Sequence, residues 1–163
     1  MIASRVAADS SIAAPAPRTF SAGMDPFAYC AHRGTIDSPA GGASSTAPPS
    51  LMDAAASTLG MSGDAKSQPG SIFWRCMDGA VYVCAVGANL VCDGKADRAK
   101  NNAGAGNFCR DNPDAKVVPA YATGHATIYE WHCAGGRASR GRQLGRIDRR
   151  GYPSDIWHKV TAP

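Results

Sequence analysis

Six cysteines constrain what this 163-residue chain can fold into more than any other feature: Cys30, Cys76, Cys84, Cys92, Cys109 and Cys133. None belongs to a C-x-x-C pair, and no C-x-x-C…H-x-x-x-H arrangement occurs. That spacing argues against zinc knuckles, zinc ribbons and thioredoxin-type redox centres, which place two thiolates close together in sequence. An even number of well-separated cysteines fits disulfides formed in an oxidising compartment. All six are therefore expected to staple a small domain. In such a domain each bridge adds roughly 2–4 kcal/mol, comparable with much of the net stability.

Two of the cysteines lie in the strongest local signal. Ile72-Phe73-Trp74-Arg75-Cys76-Met77 and Ala80-Val81-Tyr82-Val83-Cys84 flank Asp78-Gly79. Two β-prone runs around Asp-Gly predict a hairpin, because the tight turn needs residues that tolerate positive φ. A two-residue turn sets Cys76 opposite Val81 and Cys84 opposite Phe73. Alternation then points Cys76 and Cys84 to opposite faces, so they do not bond to each other. A second hairpin is expected where Thr127-Ile128-Tyr129-Glu130-Trp131-His132-Cys133 leads into Ala134-Gly135-Gly136 and Arg137. The two share the string Trp-x-Cys-x-x-Gly, at 74–79 and 131–136. If both present this Trp/Cys face to one core, Cys76–Cys133 is the pairing suggested. Cys84–Cys92 is a feasible small loop, and the remaining pairings stay open.

Around these hairpins the chain divides by composition. Residues 1–23, rich in Ala, Ser and Pro, read as a disordered arm. Residues 24–70 read as a docked segment pinned by Cys30, with loops at 38–50 and 60–70 and a short helix. Ser50-Leu51-Met52-Asp53 resembles a capping box that opens a helix over 51–59, and Gly60 stops it. Residues 71–160 form the disulfide-stapled β-rich domain. Within it, 95–112 reads as a weak helix diluted by Gly104 and Gly106 and stopped by Pro113. A third strand is expected over 152–160, after a turn at 148–151. The fold class is α+β: a small antiparallel β-rich domain of hairpins with one or two short helices.

Apolar residues make up 44% of the chain, enough for a folded core, yet no run approaches the roughly 20 apolar residues of a membrane span. The cysteines point to a periplasmic or secreted protein. Residues 1–23 carry Arg5 but no uninterrupted apolar core, since Asp9, Ser10, Ser11 and prolines break it. The expectation is that the natural start lies upstream and supplies a signal peptide.

Sites of chemistry are sparse. No nucleophile elbow, phosphate-binding glycine loop, H-E-x-x-H or EF-hand pattern occurs. Gly104-Ala105-Gly106 is only a fragment of a dinucleotide fingerprint. Glu130 and His132, two apart on one strand, are a candidate acid–base pair; the simpler reading is a solvated pair on an outer face. His32, His125 and His158 are scattered, and neither a metal nor a cofactor is expected. Phe73, Trp74, Tyr82, Tyr129, Trp131, Tyr152 and Trp157 fall on expected strands. They suit either a sugar platform or, more simply, core packing. Charge is more informative: Arg137, Arg140, Arg142, Arg146, Arg149 and Arg150 cluster with Asp148 as the only acid among them, whereas the whole chain carries only +4. Arginine's planar fork suits phosphate and sulfate, so this stretch is a candidate anion site. The plainer reading is a charged strand that blunts a sheet edge.

Asp25-Pro26-Phe27-Ala28-Tyr29-Cys30 with Gly34-Thr35-Ile36-Asp37, then Trp74-Arg75-Cys76-Met77-Asp78-Gly79, Val86-Gly87-Ala88-Asn89-Leu90 with Cys92, and Tyr129-Glu130-Trp131, resemble a family of small cysteine-containing exported bacterial proteins of unknown function. The resemblance covers roughly 24–37 and 71–160. It implies an exported protein with a signal peptide or lipoprotein-like leader, and it transfers no catalytic residue. The chain departs from the family in the arginine-rich stretch 137–150.

The functional expectation is an exported, non-enzymatic binding or envelope-associated protein. Its partner would be an anionic envelope component or an acidic protein surface rather than nucleic acid. The alternatives are an inhibitor of an extracellular hydrolase, probing with the loops at 78–79 and 134–136, and an enzyme using Glu130 and His132.

Overall fold

Asp25-Pro26 starts the first element. In the computed structural model, which describes residues 19–61, 70–87 and 91–162, the Asp25 carboxylate accepts from the N–H groups of Phe27 at 3.0 Å and Ala28 at 3.3 Å. Pro26 takes the first helical position, where a missing N–H costs nothing. Helix α1, Pro26–Arg33, ends at Gly34.

A 3-10 turn, Pro49–Leu51, leads into α2, Met52–Thr58. The expected capping box does not form. Pro49 begins the turn one residue early, so Ser50 sits inside it rather than ahead of the helix, and α2 has no side-chain cap. Gly60 does stop the helix, with φ +64.

Strands β1, Ile72–Met77, and β2, Ala80–Ala85, form the first hairpin in the expected register, Cys76 opposite Val81 and Phe73 opposite Cys84. Asp78 and Gly79 both have positive φ, 52° and 79°, as a type I′ turn requires. Helix α3, Ala103–Asp111, is shorter than the 95–112 expected. Asn102 caps it, accepting from Ala105 N–H at 2.8 Å, and the chain before it instead bridges Asp97 to Thr127. The single turn α4, Ala120–Thr123, packs on α3 so closely that a Cβ on Gly104 would stand 1.8 Å from the Ala122 carbonyl oxygen. That approach explains the glycine without any nucleotide.

Strands β3, Tyr129–Ala134, and β4, Arg137–Gln143, form the second hairpin around Gly135 and Gly136. The third strand is a correction. Over 152–160 the chain makes a bridge at Pro153, a 3-10 turn, Ser154–Ile156, and only then β5, His158–Lys159. Tyr152 and Trp157 turn inward to pack edge-to-face, which an unbroken strand would not permit. Strand β5 pairs with β2 of the first hairpin, giving sheets β1-β2-β5 and β3-β4.

The bridges are Cys30–Cys76, Cys84–Cys92 and Cys109–Cys133, with Cα separations of 5.1, 5.7 and 5.3 Å. Cys84–Cys92 is as expected; Cys76–Cys133 is not formed. The two Trp/Cys faces do not share a core, because each hairpin is bridged to a helix of its own, the first to α1 and the second to α3. Trp74 and Cys76 belong to one apolar cluster with Tyr29 and Leu51, and Trp131 and Cys133 to another with Ala105 and Val118. Phe20, read from composition as part of the arm, is buried edge-on against Tyr29 and Trp74. Residues 1–18 of that arm, and most of the 60–70 connector, lie outside the described residues.

The two units repeat one scheme of bonds. In the first, Cys30 bridges Cys76, the turn glycine Gly79 donates to Gly34 O at 2.9 Å, and Cys76 N–H donates to Ile36 O at 3.0 Å. In the second, Cys109 bridges Cys133, Gly136 donates to Pro113 O at 3.1 Å, and Cys133 donates to Ala115 O at 2.7 Å. The acceptors fall at the same offsets beyond each helix cysteine. The shared string therefore encodes a core ring, a bridge to the helix and a turn glycine tied to the helix end.

Candidate anion-binding groove

The six arginines of 137–150 do not form one free patch. Arg150 grips Asp37 through two bonds, at 3.1 and 2.7 Å, and Arg149 pairs with Asp78 in the first turn. Arg146 holds Asp155 with Nε at 3.0 Å, Nη2 at 2.9 Å and its own backbone N–H at 2.8 Å. Arg142 reaches Glu130 at 2.9 Å. Backbone and side-chain hydrogen bonds from Arg146 hold the Asp155 carboxyl below its usual range, and the Asp37 hydrogen bond raises the Arg150 guanidinium.

Glu130 is positioned by a bulge. Between the pairs Tyr129–Gln143 and Trp131–Arg140, one residue of β3 faces two of β4. A Cβ on Gly141 would come 3.2 Å from Glu130 Cβ, so a glycine there lets the strands close. The Arg142 hydrogen bond lowers the Glu130 pKa, and the side chain is open to solvent. Glu130 borders a groove beside Val117 and Leu144 whose lining does not include His132.

Arg137 and Arg140 are different. Arg140 lies over the Tyr129 ring, 4.8 Å from its centroid, and both arginines line an open groove of about 450 Å³ between α3 and β4. Lys100 and Arg110 line it too, and no carboxylate does. Among the described residues none of these four cations is ion-paired. Arg110 makes only a neutral bond, to Asn107 Oδ1 at 2.8 Å. Sequence reading missed Lys100 and Arg110 because they lie outside the arginine run. The Cys109–Cys133 bridge carries α3, and Arg110 with it, to the hairpin.

The remaining candidates have structural places. Trp74, Trp131, Tyr152 and Trp157 are buried, and Phe73, Tyr82 and Tyr129 pack against the clusters, so these rings are core rather than an open platform. The tip of the first hairpin is held: Asp78 N–H donates to Thr35 Oγ1 at 3.0 Å, and Arg149 clasps the carboxylate. Among the described residues no helix is long and apolar enough to cross a membrane, and no three metal-ligating side chains converge. Compared with protein-family models, with curated proteins and with solved structures, the chain matches none.

Proposed function

We propose that this is an exported, non-enzymatic binding protein that takes an anionic partner in the groove between α3 and β4. The observation that carries this reading is the set Lys100, Arg110, Arg137 and Arg140, gathered around one groove without a carboxylate. Four like charges held together raise the local potential and favour phosphate, sulfate or carboxylate groups. An oxidising location is supported by the pairing of all six cysteines. The resemblance to small exported bacterial proteins points the same way. Both hairpin turns are tied back to helix ends, so the hydrolase-inhibitor reading draws no support from them. The enzyme reading draws none from Glu130, which Arg142 holds on an open strand.

Calorimetric titration with a heparin-derived oligosaccharide, as a generic polyanion, tests the proposal. The protein is expected to bind, more weakly as salt rises. Serine at Lys100, Arg110, Arg137 and Arg140 together should abolish binding, while Arg146→Ser, remote and paired, should leave it unchanged. Equal binding by the fourfold variant, or none by the native protein, removes the groove from the account.

A further inference from the structure

The two units differ at one edge. In the first, the outer edge of β2 is occupied: Val160 N–H, just past β5, donates to Val81 O at 2.9 Å, and Val160 is buried in the Trp74 cluster. Tyr82 pairs with Lys159 and Val83 with His158. Counted from the turns, Ala138 stands where Val81 does and Arg140 where Val83 does, since Cys76 faces Val81 as Cys133 faces Ala138. The main-chain groups of Ala138 and Arg140 thus point away from β3. Among the described residues neither has a backbone partner on that side. No residue of β4 is buried, and the groove beside it lies where Val160 packs in the first unit.

We propose that the outer edge of β4 takes an acidic, extended peptide as a third, antiparallel strand, as β2 takes β5. An open edge offers main-chain hydrogen bonds to any strand, and neighbouring side chains select which one. Here the selection is by charge. The residue opposite Ala138 corresponds to Val160 and would turn a small apolar side chain into the groove. The residue two positions earlier, corresponding to His158, falls opposite Arg140, on the same face. A carboxylate there meets Arg140 with Lys100 and Arg110 nearby. The core of the motif is Glu-x-Val, in the register of His158-Lys159-Val160. A second copy of β4 is a poor occupant, because it would set arginines against arginines. This inference rests on the groove being the site of an anionic partner and names that partner's class.

Fluorescence anisotropy with a labelled eight-residue synthetic peptide, Glu and Thr flanking a central Glu-Thr-Val, tests it on the full oxidised protein. Saturable binding is expected, and exchanging the glutamates for lysines should abolish it. N-methylation of the central Val nitrogen removes the donor that Val160 supplies in the first unit, and should weaken binding about tenfold. Ala138→Pro removes an outward N–H that β3 does not use. It should weaken the peptide to a similar degree. Equal affinity of the methylated peptide, which needs no protein variant, overturns the proposal. So does binding of the oligosaccharide without the peptide, or a dimer of the protein alone that Ala138→Pro disperses. Failure of both probes removes the anionic groove itself.

Discussion

Around Trp74, the unit built on α1 gathers Phe20, Tyr29, Leu51, Ile72, Val83 and Val160 from segments far apart in sequence. Around Trp131, the unit built on α3 gathers only Ala105, Val118 and the bridge, with Phe108, Tyr129 and Ala138 partly covered. The wiring is the same in both: helix cysteine to strand cysteine, turn glycine to helix end. What differs is the cover. The first unit recruits α2, Phe20 and the C-terminal strand, whereas the second keeps its outer strand in solvent. A disulfide-tied helix and hairpin evidently need little core to hold their shape, because the bridge restricts the unfolded chain. One copy can therefore carry the larger core while the other leaves a strand edge and a groove exposed.

Truncating the matched tryptophans gives the largest expected effects. Trp74→Ala should cost about 4 kcal/mol and lower the denaturant midpoint of the whole protein, because its ring is the hub of the larger cluster. Trp131→Ala should cost about 3 kcal/mol, with faster hydrogen exchange confined to α3, β3 and β4. Equal, global effects from both would mean that the units fold as one and that the contrast between them is only geometric.

The cover over the first unit has its own lock. Arg75, 1% exposed, lies between the rings of Tyr152 and Trp157, 4.3 and 4.7 Å from their centroids, and pairs with Asp148. Burial pushes the Asp148 carboxyl up, but the Arg75 hydrogen bond and the N–H groups of Tyr152 and Arg150 outweigh it, and the group is held below its usual range. A depressed folded pKa means stability that is full above the unfolded value and is lost as pH falls through the folded one. Asp148→Ala should cost about 3 kcal/mol at neutral pH, by leaving a buried guanidinium without its anion. It should also flatten the loss of stability below about pH 4. No loss would show that ring stacking alone holds the C-terminal segment over β1.

These contrasts were only partly legible in the sequence. The first hairpin's register was, because Asp78-Gly79 and the period-2 alternation are local signals that tertiary packing reinforces. Helix α1 went unread, although Asp25-Pro26 is a cap followed by a first-turn proline, because the run after it is short and mixed. The bridge partners were not legible either. Trp-x-Cys-x-x-Gly shows that two faces are alike, and this similarity suggested one shared core. In fact each face meets its own helix, and Cys30 and Cys109 carry no mark of which strand they will touch. The groove was hidden for the same reason. Lys100 and Arg110 become neighbours of Arg137 and Arg140 only once α3 is fastened to β3, and the arginine run drew attention to Arg146, Arg149 and Arg150, which carboxylates from elsewhere in the fold engage.

The smallest effect sharpens the comparison most at the edge of the second unit. Glu130 and Arg142 pair across the bulge, and both are open to water, where screening and side-chain entropy offset most of the attraction. The Arg142 hydrogen bond lowers the Glu130 pKa, so any stability it gives is present above the ordinary glutamate value and is lost as pH falls through the lowered one. Arg142→Ser is expected to raise that pKa toward its usual value, read by NMR titration of the Glu130 side chain, and to leave the denaturation midpoint at neutral pH unchanged. The bulge would persist, since Gly141 and the strand register define it. A clear loss of stability would mean that charge holds β4 in place as β5 holds β2. The outer strand of the second unit would then be a structural element in its own right, with less freedom to receive another chain.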